Sequence, residues 1–146
     1  MLRRIITEEI AGFMVGITEL TAAGFYRYDR ALAFKELNDK KVWHYFVEKY
    51  EETCSLPTET IVRQIGQMLG TEDAHIGNIG LMEKNDEELI KMIIRELGKK
   101  YNWNYSVSFE KFYSSGVCRM MSGAKISLSA LSLEEIIKLF DDSFTE

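Results

Sequence analysis

The sequence predicts an α+β fold that is mainly helical. It is read as one domain over residues 1–146, with about five or six helices around a single core, a small antiparallel β element over about residues 104–130, and a closing C-terminal helix. Three observations carry this. Up to Tyr101, apolar residues recur at helical spacing. From Asn104 to Phe109 polar and apolar residues alternate strictly, and a Gly-rich turn followed by a second alternating run comes after. Beyond Ser132 the helical period returns.

Ile6, Ile10, Phe13, Met14, Ile17 and Leu20 form one face of a first helix. Gly12 and Gly16 lie on a neighbouring stripe, where each costs about 1 kcal/mol relative to alanine, so a close crossing by another helix is expected there. Gly24 permits a break, and the pattern leaves open whether this helix runs on from Phe25 to Leu37. Asn38 or Asp39 is the expected cap of a second helix with the stripe Val42, Trp43, Phe46, Val47, Tyr50 and Cys54. Ser55-Leu56-Pro57 ends it and places the proline in the first turn of the next helix. That helix buries Ile61, Val62, Ile65, Met68 and Leu69 and stops at Gly70.

A weaker, Gly-interrupted segment covers Glu72 to Met82. Asn85-x-x-Glu88 then opens a helix with Asp86, Glu87 and Glu88 in its first turn and Arg95, Lys99 and Lys100 toward its end. This order complements the helix dipole and needs no ligand to explain it. Leu89, Ile90, Ile93, Ile94 and Leu97 face inward. Tyr105, Val107 and Phe109 share one strand face, and Val117 to Met121 pairs with Lys125 to Ala130 as a hairpin across Ser122-Gly123-Ala124. Ser132-x-x-Glu135 caps the last helix, whose apolar positions are Leu133, Ile136, Ile137, Leu139 and Phe140.

The formal net charge is −5, so the surplus of Lys and Arg that drives sequence-independent phosphate binding is missing, and nucleic acid is disfavoured as a partner. Two cysteines make no disulfide framework and read as reduced thiols of a cytoplasmic protein. No apolar run approaches about 18 residues, so no membrane partner is expected. Met1 to Ile6 resembles the start of a leader, but Glu8, Glu9 and Glu19 interrupt what would have to be an apolar stretch.

Candidates for chemistry are few. His44, Glu48 and Glu51 follow each other at i, i+4 and i+7, and Glu72 and His75 make a single Glu-x-x-His. With two histidines in the chain, neither a three-ligand zinc nor a paired di-iron motif is complete, so no metal and no cofactor is assigned. Cys118 sits between Ser114-Ser115-Gly116 and Arg119, which would lower a thiol pKa, but its place in a predicted strand between Val117 and Met120 favours a packed thiol. No catalytic residue is assigned. Ser114-Ser115-Gly116 and Ser122-Gly123-Ala124-Lys125 lack P-loop spacing and read as turns. The stretch Phe25-Tyr26-Arg27-Tyr28-Asp29-Arg30 offers Tyr26, Arg27 and Tyr28 to a partner, or else lines a helix edge. Tyr101, Trp103 and Tyr105 are expected to anchor the β element on the helices.

Val62 to Leu81, VRQIGQMLGTEDAHIGNIGL, resembles the helix-turn-helix of phage-repressor-like regulators. Gly66 stands where a small residue lets the second helix approach, Gly70 at the turn, and Ile65, Leu69, Ile76 and Ile79 at the apolar positions between the helices. The resemblance implies DNA binding, with His75 and Asn78 facing the bases. Thr71 departs from the usual apolar residue after the turn, and Glu72-Asp73 would bring carboxylates to the groove.

Three functional classes follow. The first is a small acidic, non-catalytic protein that binds another protein as an inhibitor, immunity-type protein or adaptor, using Glu48, Glu51 and Glu52, or Glu83 to Glu88, as acidic contacts. The second is a DNA-binding regulator. The third is a small-ligand binder or enzyme with a pocket between helices and sheet. Oligomeric state is left open by the pattern.

Overall fold

The computed structural model describes residues 6–26, 28–70, 84–120 and 132–144. Among them are nine helices and no strand. The α+β expectation is therefore overturned. The molecule is helical throughout its described length.

The first helix, α1 (Glu8–Phe25), is capped by Thr7, whose side chain accepts from the Ile10 amide at 3.2 Å. Its N-terminal half is one-sided, burying Ile10, Met14 and Ile17 while Gly12, Phe13 and Gly16 are half-buried. Its C-terminal half is buried almost all round, through Thr18, Glu19, Thr21, Ala22, Ala23 and Gly24. The Thr18 and Thr21 hydroxyls find partners within the helix, donating to the Met14 and Ile17 carbonyls at 2.8 Å each. The helix passes through Gly24 and breaks after Phe25. Tyr28 takes a left-handed φ of 66° there and its amide reaches back to the Ala22 carbonyl at 2.8 Å.

Asp29 caps α2 (Arg30–Asp39), accepting from the Leu32 amide at 3.0 Å. Asn38 and Asp39 thus close α2 and do not cap its successor. Asn38 instead accepts from the Trp43 indole N–H at 2.9 Å. α3 (Val42–Glu48) starts after Lys41, another left-handed residue at φ 57°, and α4 (Tyr50–Thr53) follows a break at Lys49. That break splits the expected stripe, so Val42, Trp43, Phe46 and Val47 are buried but Cys54 emerges exposed.

α5 (Thr58–Leu69) begins after Pro57, which occupies the N-cap and not the first turn. It buries Ile61, Val62, Ile65 and Leu69 and ends at Gly70, whose φ of 78° is the left-handed stop that glycine makes without strain. α6 (Lys84–Tyr101) opens one residue before the expected Asn85 cap and buries Ile90, Ile93, Ile94 and Leu97.

The segment expected to be a strand is α7 (Tyr105–Tyr113). Asn104 accepts from the Val107 amide at 2.9 Å, an N-cap that the alternating pattern concealed. Tyr105, Phe109, Phe112 and Tyr113 lie at i, i+4, i+7 and i+8, and Phe109, Phe112 and Tyr113 are buried while Val107 is exposed. Three alternating residues fit either period, and the longer window decides for the helix. The first half of the expected hairpin is α8 (Gly116–Met120), started by Ser115, whose hydroxyl accepts from the Cys118 amide at 3.2 Å. Lys125 to Ala130 and the Ser122–Lys125 turn lie outside the described residues. α9 (Leu133–Phe144) carries the capping box as expected, with Ser132 and Glu135 exchanging hydrogen bonds of 3.2 Å.

α1 is the hub, touching α2, α3, α5, α6 and α7. Phe34 stacks on Tyr113 at 5.4 Å, and Phe109 meets Phe34, Trp43 and Tyr113 at 5.6, 6.0 and 5.1 Å. Tyr101 and Trp103 anchor no β element. They stack on each other at 4.6 Å and clasp Phe140 of α9, while Asp141 accepts from Lys100 and the Tyr101 hydroxyl. No described helix is long and apolar enough to cross a membrane.

Candidate functional site

A groove of about 640 Å³ with a mostly apolar lining is walled by α1, α4, α5 and α6. Gly12, Phe13, Gly16 and Leu20 of α1 form one side, with Tyr50, Cys54 and Ile61 across from them. Phe13 and Tyr50 meet edge to face at 5.4 Å and are both half-buried, so their rings are held in place yet reachable. The expected close crossing at the glycines is made by α6 through its side chains. A Cβ on Gly16 would stand 2.6 Å from a Glu87 carboxylate oxygen, and one on Gly12 would stand 3.8 Å from Lys91.

The rim is charged. Arg95 of α6 pairs with Glu8 of α1 at 3.0 Å, and Lys91 reaches Glu88 at 3.6 Å and Glu87 at 3.9 Å. Tyr105 closes one end, and burial pushes its hydroxyl pKa up to about 12. α4 brings Glu51 and Glu52, both exposed, on the same short helix that supplies Tyr50, and Glu48 is exposed at the end of α3. Glu51 and Glu52 follow Tyr50 on α4 without lining the groove, whose α1 wall the apolar period offered either to a core or to a second copy. The signal was present in part: Phe13 and Leu20 lie on the edge of the α1 stripe, where burial is incomplete.

A second assembly is sealed inside. Arg30 Nε donates to both oxygens of Glu19 at 2.8 and 3.1 Å, and the Tyr113 hydroxyl donates to Glu19 at 3.1 Å. Glu19, Arg30 and Tyr113 are all buried. Burial and the neighbouring Glu19 carboxylate hold the Tyr113 hydroxyl protonated far above the ordinary range. Cys118 belongs to the same interior. Burial first, and Glu19 next, push its thiol up to about 12 against the opposing pull of Arg30. The expected lowering of this thiol pKa by Arg119 fails, because burial and the Glu19 carboxylate outweigh the cation. Cys118 is packed, the reading the sequence favoured, whereas Cys54, expected on a core stripe, is exposed.

Of the remaining candidates, Tyr26 and Tyr28 are half-buried, and Arg27 lies outside the described residues. Burial, reinforced by Glu36, raises the Tyr26 pKa. Arg30, the last residue of that aromatic and basic stretch, turns into the core. The break at Lys49 takes Glu51 off the helix that carries His44 and Glu48, and no cluster of three His, Cys, Asp or Glu side chains suited to a metal occurs among the described residues. In the helix-turn-helix segment, Ile65, Gly66 and Leu69 are buried and Gly70 turns left-handed, whereas Glu72, His75 and Asn78 lie outside the described residues. No family model, curated protein or solved structure matches the chain.

Proposed function

We propose that this acidic protein works without catalysis by binding another protein, in an inhibitor, immunity-type or adaptor role within the cytoplasm. The observation that carries the reading is the groove walled in part by α4, where half-buried Phe13, Leu20 and Tyr50 lie within a charged rim of Glu8, Glu87, Lys91 and Arg95, and where exposed Glu51 and Glu52 follow Tyr50 in sequence. Apolar anchors inside a charged rim are the usual anatomy of a protein interface. A partner helix with apolar residues at i, i+3, i+4 and i+7 could lay them against these rings, and a basic flank would face Glu51 and Glu52. Two free thiols support a reducing compartment.

The test is capture of partners from the source cell with tagged protein and a nuclease-treated control, then titration of the purified partner. A protein kept after nuclease treatment that loses about tenfold or more in affinity for Glu51→Lys/Glu52→Lys supports the reading. Unchanged affinity rejects this surface.

A second reading, DNA regulation through Val62 to Leu81, draws its support from buried Gly66 and left-handed Gly70, which suit a helix that must turn sharply into another. It predicts salt-dependent duplex binding that Asn78→Ala weakens, and it ends if no duplex is bound at low salt.

A further inference from the structure

A second cleft, sharing no lining residue with the groove, opens between α2 and the α7–α8 corner. Its volume is about 660 Å³, within the range of small-ligand sites. The stacked rings of Phe34 and Tyr113 close its floor, and Leu32, 38% exposed, stands on its wall. Four charged side chains line it: Asp29, Lys35 and Asp39 along α2, and Arg119 from α8. Lys35, Asp39 and Arg119 form no ion pair among the described residues, although Lys35 and Asp39 lie one turn apart. Asp29 commits one oxygen to the α2 cap. The Asn38 oxygen is held by Trp43, which leaves the Asn38 amide N–H groups as donors beside the Ser114 hydroxyl.

The charges balance, two of each sign, so the lining offers a polyanion no net attraction and suits a ligand that is itself dipolar. Along α2, Asp39 lies about 6 Å beyond Lys35. An extended dipeptide spans about 7 Å between its ends. We infer that this cleft binds a dipeptide with free termini. Its carboxylate meets Lys35 and Arg119, its ammonium group meets Asp39, and an apolar side chain rests on Leu32 and Phe34.

The test is a titration of isotope-labelled protein with alanyl-phenylalanine, its N-acetyl form, its C-terminal amide and free phenylalanine, read by amide chemical shifts. Saturable shifts within α2 and residues 114–119 are expected for the free dipeptide, with each blocked form weaker by about tenfold. Lys35→Gln/Arg119→Gln should erase the preference for a free carboxylate, and Asp39→Asn the preference for a free amine. All three positions are exposed, and an unchanged thermal midpoint confirms that the variants fold. The proposal is overturned if the free dipeptide gives no saturable shift, if blocked forms bind equally, or if free phenylalanine binds as tightly. Such failures leave the protein-binding reading standing, since the groove is a different surface.

Discussion

Glu8 and Glu19 both belong to α1, and each holds an arginine from another helix. Glu8 and Arg95 are 60% and 51% exposed, whereas Glu19 and Arg30 are 4% and 6% exposed. The bonds are of similar length, 3.0 and 2.8 Å, so geometry does not separate them. Water does. The exposed pair exchanges solvation for a screened attraction and nets little. The interior pair has already lost its solvation, so each charge depends on the other and on the Tyr113 hydroxyl. A pair of this kind adds little over an apolar replacement of both partners, yet punishes the loss of one. It therefore acts as a constraint on how α1, α2 and α7 meet.

The largest expected effect follows from breaking that constraint. Glu19→Ala removes the buried carboxylate to which Arg30 and Tyr113 both donate and should cost about 3–5 kcal/mol in urea unfolding, while Glu19→Leu/Arg30→Met together should restore most of it. A double variant as unstable as the single one would show that the pair contributes more than specificity.

Alkaline pH tests the same interior. The Cys118 thiol, ordinarily near 9.0, lies near 12 in the fold, and the Tyr113 hydroxyl is raised well above 10.0. The folded state then binds more protons than the unfolded chain, so stability is fully present below about pH 9 and falls as pH rises toward 12. Unfolding free energy measured from about pH 8 to 11 should decline, and Cys118→Ala should remove the part that begins near pH 9.

Smaller again is Tyr113→Phe, which removes one donor to Glu19 while Arg30 remains. It should cost about 1–3 kcal/mol, read in the same urea experiment. Last comes the exposed partner in the comparison. Glu8→Gln should change stability by no more than about 1 kcal/mol, an effect that vanishes in high salt. A cost comparable to that of Glu19→Ala would erase the distinction drawn between the two pairs.

Much of the helical scaffold was legible, and the reasons it was not wholly so are local. α1, α5, α6 and α9 announced themselves because each carries an apolar stripe longer than two turns, three of them with capping chemistry at one end. α7 was misread because Tyr105, Val107 and Phe109 satisfy a period of two over the few residues that first catch the eye. Lys111 and Phe112 break that period, and Phe112 and Tyr113 together restore the helical one. The break at Lys49 had no signal, since Lys49 is an ordinary helix former, and losing it put Cys54 on the wrong side.

The candidate site was half legible. The sequence offers Glu51 and Glu52 as partner contacts, but the groove that Tyr50 lines depends on how α1 and α6 cross, which no single-chain pattern encodes. Glu19 was read only as an interruption of apolar sequence. The nearby run Thr21-Ala22-Ala23-Gly24 was the available hint, since a helix without a polar face is enclosed on all sides and a charge beside it must find its partner inside.

Tyr113 is a member of two neighbourhoods at once. Its ring paves the cleft beside α2, and its hydroxyl is one of the hands holding Glu19 in the interior. Pressure on the ring from outside is thereby transmitted to the helix around which the other elements are gathered. Occupancy of that cleft should register as slower amide hydrogen exchange along the far half of α1, among residues that no ligand there could touch.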